Sequence, residues 1–261
     1  MRLPQWVRDL VLPVYESRVV RGLEGLPRPR HVGIMLDGNR RWARANGHDD
    51  VAEGYRVGGA RVEQFLGWCA DAGVEHVSLY MLSDDNLTGR PEHELVPLLG
   101  IIQDTVTGLA APGRAWRVRI IGNLDLMPGE HAAALKEAAA ETLERGGMRV
   151  DVAVGYGGRR EIVDAVRSAF HQHVDAGGDP AAFGETIDIE HISANLYNAL
   201  GADRTDLIIR TSGEQRLSGF LLWQSPYAEM HFVDVCWPDF RRVDFLRALR
   251  SFAGRERRYG K

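Results

Sequence analysis

His31-Val32-Gly33-Ile34-Met35-Leu36-Asp37-Gly38-Asn39-Arg40-Arg41-Trp42-Ala43-Arg44 is the stretch whose reading decides the fold. Its first six residues form a nearly all-apolar run, which reads as a strand buried on both faces. The run stops at a carboxylate. Gly38-Asn39 then turns the chain into a helix-compatible segment with three arginines. In a parallel α/β sheet, ligands bind at the carboxyl ends of the strands. Asp37 sits at such an end, and the free N–H groups of the helix start beside it suit phosphate. An acid for Mg²⁺ next to arginines for phosphate oxygens suggests a substrate carrying a diphosphate. The competing reading is an ordinary strand–turn–helix with a solvated basic helix.

The chain around this stretch has 261 residues, enough for one large domain with a sizeable core. A net charge of −4 argues against general nucleic-acid binding, which usually shows as a basic domain. Cys69 and Cys236 form no metal-binding spacing, and a reduced cytoplasm is the simplest setting for them. Nine histidines without an HExxH pattern give no reason to expect zinc. No signal peptide and no apolar run near the length of a membrane span is read. The expectation is a cytoplasmic protein, with peripheral contact at the inner face of the membrane left open.

That opening comes from residues 5–23, which mix Trp6, Val7, Leu10, Val11, Val14 and Tyr15 with Arg8, Arg18 and Arg21. They read as an amphipathic helix interrupted at Pro13, which either lies on a membrane surface or packs on its own domain. Residues 1–30 are thus an N-terminal helical segment and linker, and 31–261 the main domain. Asp49-Asp50-Val51-Ala52-Glu53 has the look of a DDxxE metal motif but reads better as a solvated acidic loop, since glycines flank it. Val62, Phe65, Leu66 and Cys69 recur at helical spacing in a segment that ends at Gly73. A second strand, 77–82, ends in Ser83-Asp84-Asp85-Asn86. Helix 92–110, strand 117–121, helix 131–145 and strand 149–154 follow. The last of these runs into Gly155-Tyr156-Gly157-Gly158-Arg159-Arg160, a weak dinucleotide fingerprint whose glycines better suit close backbone approach at a loop. Helices 161–173 and 189–199 precede a fifth strand, 206–210, ending in Arg210. Arg216 and Ser218 lie in the loop beyond it. Glu229 precedes a short sixth strand, 230–233, and helix 243–252 closes the pattern. Such alternation predicts a single α/β domain: a six-stranded, mostly parallel sheet covered by helices.

Polar groups at the strand ends then number seven: Asp37, Arg41, Asn86, Arg210, Arg216, Ser218 and Glu229. Two carboxylates and several arginines at one rim suit Mg²⁺ and two diphosphates. At this point the sequence resembles the cis-prenyltransferases, the undecaprenyl diphosphate synthase family. The blocks that carry the resemblance are HVGIMLDGNRRWA, SLYMLSDDN, VGYGGRREIVDAV, DLIIRTSGEQRLSGFLLWQSPYAE and WPDF.

The resemblance implies an α/β fold with an apolar tunnel, and a Mg²⁺-dependent condensation of isopentenyl diphosphate with an allylic diphosphate (geranyl, dimethylallyl or farnesyl). It implies that Asp37 binds Mg²⁺ and assists departure of the allylic diphosphate, which Gly38, Asn39, Arg40, Arg41 and Trp42 surround. Ser83, Asp85 and Asn86 match a block in which the asparagine helps condensation, and Asp84, Leu87 and Arg90 fall within or beside it. Arg210, Arg216, Leu217 and Ser218 fall to the isopentenyl diphosphate. Glu229 completes the metal site, near the interface of a homodimer, and Arg258-Tyr259-Gly260 resembles a C-terminal R-x-G that reaches the isopentenyl site.

Some positions depart from the family pattern. Arg40 stands where glycine is frequent, Asp85 where glutamate is usual, and Leu87 where long-chain members have tryptophan. Arg90 sits one residue late, and the 49–55 loop lacks an arginine and a histidine used on the allylic diphosphate. Several phrases look most like the short-chain actinobacterial branch, which includes Z,E-farnesyl diphosphate synthase. Met81, two residues before Ser83 and so on the same strand face, replaces the small residue of long-chain relatives and is the expected limit on chain length. The alternatives are a long-chain polyprenyl diphosphate synthase, an enzyme that joins units irregularly, and a non-catalytic scaffold subunit. Retention of Asp37 and Glu229 argues against the last.

Overall fold

The computed structural model describes residues 5–197 and 204–255, with side chains from residue 13. Six strands form one sheet in the order β3-β4-β2-β1-β5-β6, and each neighbouring pair is parallel. They are β1 (His31–Met35), β2 (His76–Ser83), β3 (Arg117–Ile121), β4 (Arg149–Tyr156), β5 (Leu207–Arg210) and β6 (Glu229–Phe232). The helices are α1 (Gln5–Leu23), α2 (Asn39–Ala45), α3 (Ala52–Asp71), α4 (Asp84–Gly89), α5 (Glu92–Ala110), α6 (Gly129–Glu141), α7 (Gly158–Asp175), α8 (Phe183–Thr186), α9 (Ile189–Ala194) and α10 (Arg242–Ala253).

All five residues of β1 are buried, as an apolar run in the middle of a parallel sheet requires. Alternation along the strands separates two layers. Val32, Ile34, Val77, Leu79, Val150 and Val152 join the larger core with residues of α3, α5, α6 and α10. Met35, Ala153 and Ile121 face the other way, where Tyr156, Phe220 and Leu221 cover them. That second face also buries a polar chain. His31 stacks on His76 at 3.7 Å, and His76 Nε2 lies 2.8 Å from Asp151 Oδ2. Arg119 grips the same carboxylate with two bonds of 2.9 Å. Burial pushes the Asp151 carboxyl up, but the bonds from His76 and Arg119 outweigh it and hold the group well below the usual carboxylate range. Burial, with His76 alongside, depresses His31 well below the ordinary imidazole value.

Four details depart from the expectations. First, α1 runs through Pro13 instead of breaking there. The proline removes one ladder bond, but the carboxyl half is anchored: Val19 and Leu23 are buried, and Arg242 of α10 lies 3.9 Å from Glu16. Second, the acidic 49–53 segment is not all loop. Asp50 Oδ1 accepts from the Ala52 N–H at 2.8 Å, and Glu53 falls in the first turn of α3, where its charge suits the helix end. Third, residues 180–182 and 183–186 form short helical turns inside the stretch expected as loop. Fourth, the pairing of β2 with β4 shifts at Tyr80/Leu82 and again at Leu82/Ser83, which marks an irregularity around Met81. No helix among the described residues is long and apolar enough to cross a membrane.

Candidate active site

The carboxyl ends of β1, β2 and β5 open into a cavity of about 590 Å³. Asp37, two residues beyond β1, stands at its rim, with its side chain 39% exposed. Its Oδ1 accepts from the Gly38 N–H at 2.8 Å, and its Oδ2 accepts from Arg210 Nη2 at 2.8 Å. The backbone N–H of Asp37 donates to Thr211 Oγ1 at 2.9 Å, so β5 clamps the turn after β1. Gly38 has φ +98°, and a Cβ there would lie 2.8 Å from Cys236 Sγ. Only glycine fits this turn, which aims the first turn of α2 at the cavity.

Six arginines line the cavity: Arg40, Arg41, Arg44, Arg90, Arg210 and Arg216. Three carboxylates, Asp37, Asp85 and Glu214, oppose them, so the rim carries an excess of positive charge suited to a polyanion. Arg210 is the most deeply set, its side chain 4% exposed. It donates through Nη1 to the Arg216 carbonyl and to Ser218 Oγ, while its buried Nε has no acceptor. Arg41 donates to the Ser212 carbonyl and hydroxyl at 3.0 Å each, with Glu214 at 3.2 Å. Arg40 reaches Glu94 at 3.3 Å, and Arg90 donates to the Tyr55 hydroxyl.

Below this rim the wall turns apolar. Val62 of α3, Met81 and Leu82 of β2, and Leu98, Ile101 and Ile102 of α5 line it. The site is therefore a polyanion cradle opening directly onto a hydrocarbon-lined space.

Comparisons with known proteins agree with that chemistry. The prenyltransferase family model described as undecaprenyl diphosphate synthase matches residues 34–260. The chain belongs to this family. It is 62% identical over 256 residues to "Isoprenyl transferase 2" of Streptomyces coelicolor, covering 98% of each chain. It is 47% identical over 261 residues to "(2Z,6E)-farnesyl diphosphate synthase" of Mycobacterium tuberculosis, covering 99% of each. Among solved structures, lavandulyl diphosphate synthase from Lavandula x intermedia in complex with dimethylallyl diphosphate superposes with a TM-score of 0.82. That match has 31% identity and covers 90% of this chain and 99% of that one. The protein is accordingly a transferase of the cis-prenyl type.

Most of the expected site residues of this prenyltransferase meet at the cavity. Asp37, Gly38, Asn39, Arg40, Arg41, Met81, Ser83, Asp85, Asn86, Arg90, Arg210, Arg216 and Ser218 all line it. Ser83 Oγ accepts from the Asn86 N–H at 3.1 Å and so starts α4, which carries Asn86 to the rim. Asn39 turns its amide inward, donating to the Leu36 carbonyl at 2.8 Å.

Five expectations need correction. Trp42 is not in the wall; its ring stacks on His48 at 5.6 Å, on the side of α2 away from the cavity lining. Asp84 is turned toward α7: Arg160 lies 3.8 Å away, and a Cβ on Gly157 would meet its carboxylate. Leu87 is a core residue, 5% exposed, and Leu217 is also outside the lining. The fifth is Glu229. It is the first residue of β6, in register with Leu207, whereas Asp37 follows the last residue of β1. Strands that run parallel place these two carboxylates at opposite ends of the sheet, and Glu229 pairs instead with Arg255. Within one chain they do not share a metal. Arg258-Tyr259-Gly260 lies outside the described residues.

The cavity also has walls that the sequence reading missed. Of the apolar α3 residues singled out, only Val62 reaches it; Phe65, Leu66 and Cys69 are fully buried core. Tyr55, Gly58 and Gly59 of α3, and the α5 residues, form the wall instead. Met81 is in the wall, but the alternation argument that put it there does not hold through the shifted pairing beside it.

Proposed function

We propose that the protein condenses isopentenyl diphosphate with an allylic diphosphate, forms a Z double bond, and releases a short product, Z,E-farnesyl diphosphate from geranyl diphosphate. The observation that carries this reading is the continuity of the Asp37–Arg210 rim with an apolar cavity whose wall includes Met81. The names of the mycobacterial relative and of the related short-chain Z-isoprenyl diphosphate synthases support the product length.

The residues divide the work by place. Arg210, Arg216 and Ser218 bind the isopentenyl diphosphate, and Arg40, Arg41 and the N–H groups at the start of α2 bind the allylic one. Asn86 orients the isopentenyl group for attack by its C3–C4 double bond on the allylic C1. The bond from C1 to the diphosphate oxygen breaks, and a proton then passes from C2 of the isopentenyl unit to the released diphosphate. Fixed positive charge at the leaving group is the largest catalytic contribution, because it is in place before the bond breaks.

A Mg²⁺ ion fits this donor set. Among the described residues no group of three or more His, Cys, Asp and Glu side chains forms a protein cage. Mg²⁺ is commonly held by one or two carboxylates plus substrate phosphates, and Asp37 would supply the carboxylate here. The chemistry such an ion supplies when bound is neutralisation of the charge that grows on the leaving diphosphate. Glu229 would reach a metal only from a second copy of the chain, so the reading includes a homodimer, which light scattering would test.

The deciding experiment incubates the protein and labelled isopentenyl diphosphate with dimethylallyl, geranyl or farnesyl diphosphate, then separates the dephosphorylated products. A C15 product from geranyl diphosphate is expected. Products of ten or more isoprene units would overturn the short-chain reading. Coupling of dimethylallyl diphosphate alone would instead indicate irregular joining.

A further inference from the structure

The loop from Arg216 to Leu221 has a backbone that L-residues rarely adopt. Ser218 has φ 46°, Gly219 78° and Leu221 49°. Non-glycine residues stay in such conformations only where the surroundings over-determine them, and these places concentrate at ligand clamps. Here the surroundings can be named. Arg210 Nη1 donates to the Arg216 carbonyl and, at 2.9 Å, to Ser218 Oγ. The Gly158 N–H donates to the Gly219 carbonyl at 2.9 Å. A Cβ on Gly158 would lie 2.4 Å from that oxygen, so Gly158 of the fingerprint-like segment is the seat of this loop.

The third support is Tyr80, to which nothing so far gives a role. Its hydroxyl donates toward the Ser218 carbonyl at 3.3 Å and the Tyr156 carbonyl at 3.4 Å. Its ring stacks on fully buried Phe220 at 4.6 Å with an interplanar angle of 11°. Tyr156 closes the arrangement edge-on at 5.9 Å from the Tyr80 ring. Tyr80 stands in register with Met35 on β1, two residues before Asp37, and it lines the cavity. It therefore links the rim of the sheet to the loop that carries Arg216 and Ser218.

We propose that Tyr80 is a positioning residue for the isopentenyl diphosphate: its hydroxyl fixes the Ser218 carbonyl, its ring fixes Phe220, and together they aim Ser218 Oγ and Arg216 at the diphosphate. This rests on the assignment of Arg210, Arg216 and Ser218 to that substrate. Burial raises the phenol pKa, so the hydroxyl remains a donor at neutral pH and does not serve as a base.

Tyr80→Phe removes the hydroxyl and keeps the stack. A single neutral hydrogen bond is worth about three- to tenfold in an equilibrium. The KM for isopentenyl diphosphate should rise by about that factor, with kcat within about twofold of wild type and the allylic KM unchanged. Phe220→Leu, which removes the stack, should move the same constant in the same direction. Calorimetric titration of both variants and wild type with inorganic pyrophosphate should show weaker binding by a similar factor. An unchanged isopentenyl KM with unchanged pyrophosphate binding in Tyr80→Phe would overturn the proposal. So would an equal rise in both substrate KM values, or a fall in kcat alone, which would put the hydroxyl at the reacting atoms. A wild type that does not consume isopentenyl diphosphate would overturn the functional reading instead, and the pyrophosphate comparison would still decide the role of Tyr80.

Discussion

Asp37→Asn separates what this carboxylate does for stability from what it does for catalysis. The substitution keeps shape and removes charge. In the native site Oδ1 accepts from the Gly38 N–H and Oδ2 from Arg210, both at 2.8 Å. The asparagine oxygen can keep one of these bonds, and its NH₂ then faces the other donor. Arg210 is nearly inaccessible, but the Asp37 side chain is 39% exposed, so solvent screens the pair. Its loss should therefore cost about 1 kcal/mol of stability, as for a partly exposed charged hydrogen bond. For a domain of this size that is a fall of roughly 2–4 °C in Tm. The catalytic loss should be far larger. On the role proposed for Asp37, as the carboxylate that would hold Mg²⁺, its removal should cost about 4 kcal/mol of transition-state stabilisation, roughly a thousandfold in rate. The assay pairs a thermal melt with product formation from isopentenyl and geranyl diphosphates. Activity within tenfold of wild type at saturating Mg²⁺ would refute the reasoning.

Three further outcomes are expected. Arg216→Ala should raise the KM for isopentenyl diphosphate far more than that for the allylic substrate, and the reverse pattern would mean that the two diphosphate sites are exchanged. Met81→Ala should lengthen the product by one or more units, because a chain pushed against methionine displaces packed side chains at a cost of about 1–3 kcal/mol; an unchanged product distribution on chromatography would remove Met81 as the stop. His31, depressed by burial, stays neutral in the folded protein while the unfolded chain takes up a proton as pH falls below about 6.5. Stability should thus decline toward acid by up to about 1.4 kcal/mol per pH unit from this group, measured by denaturant unfolding between about pH 6.5 and 5, and His31→Asn should flatten that slope.

The parts of the fold that were legible are those governed by local rules. β3 and α5 begin and end where the sequence pattern puts them, because turn residues bound clear apolar runs. Asp37 was legible for the same reason: it ends a run buried on both faces. Glu229 was grouped with the rim although the sequence places it before strand 230–233; in a sheet whose strands run parallel, a residue at a strand's start lies at the end away from Asp37. Asp84 and Asp85 are adjacent acids, and the geometry of α4 alone decides that Asp85 lines the cavity while Asp84 meets Arg160. The α5 wall was invisible as a wall, since Leu98, Ile101 and Ile102 look no different from core residues such as Leu99 and Val106.

The charged rim and the apolar space must also be held in fixed relation, although their side chains have opposite needs for water. Helix α3 provides that relation through glycines that carry no side chain of their own. A Cβ on Gly54 would lie 2.1 Å from the Asn39 carbonyl, and one on Gly58 would lie 2.4 Å from Asn39 Oδ1. The first two contacts press α3 against the start of α2, directly behind the Asp37 turn. At the next residue, a Cβ on Gly59 would lie 2.7 Å from Thr105 Oγ1 of α5, whose hydroxyl is already committed to the Ile101 carbonyl at 2.7 Å. Each interior glycine weakens a helix by about 0.5–1 kcal/mol relative to alanine. Three in six residues is a substantial local cost, and the close approaches explain why the helix tolerates it. Larger residues there would push α3 away from both neighbours at once, opening the apolar wall and displacing Asn39 at the charged rim. The spacing between the charged rim and the hydrocarbon wall is therefore set by one helix packed without intervening side chains against both.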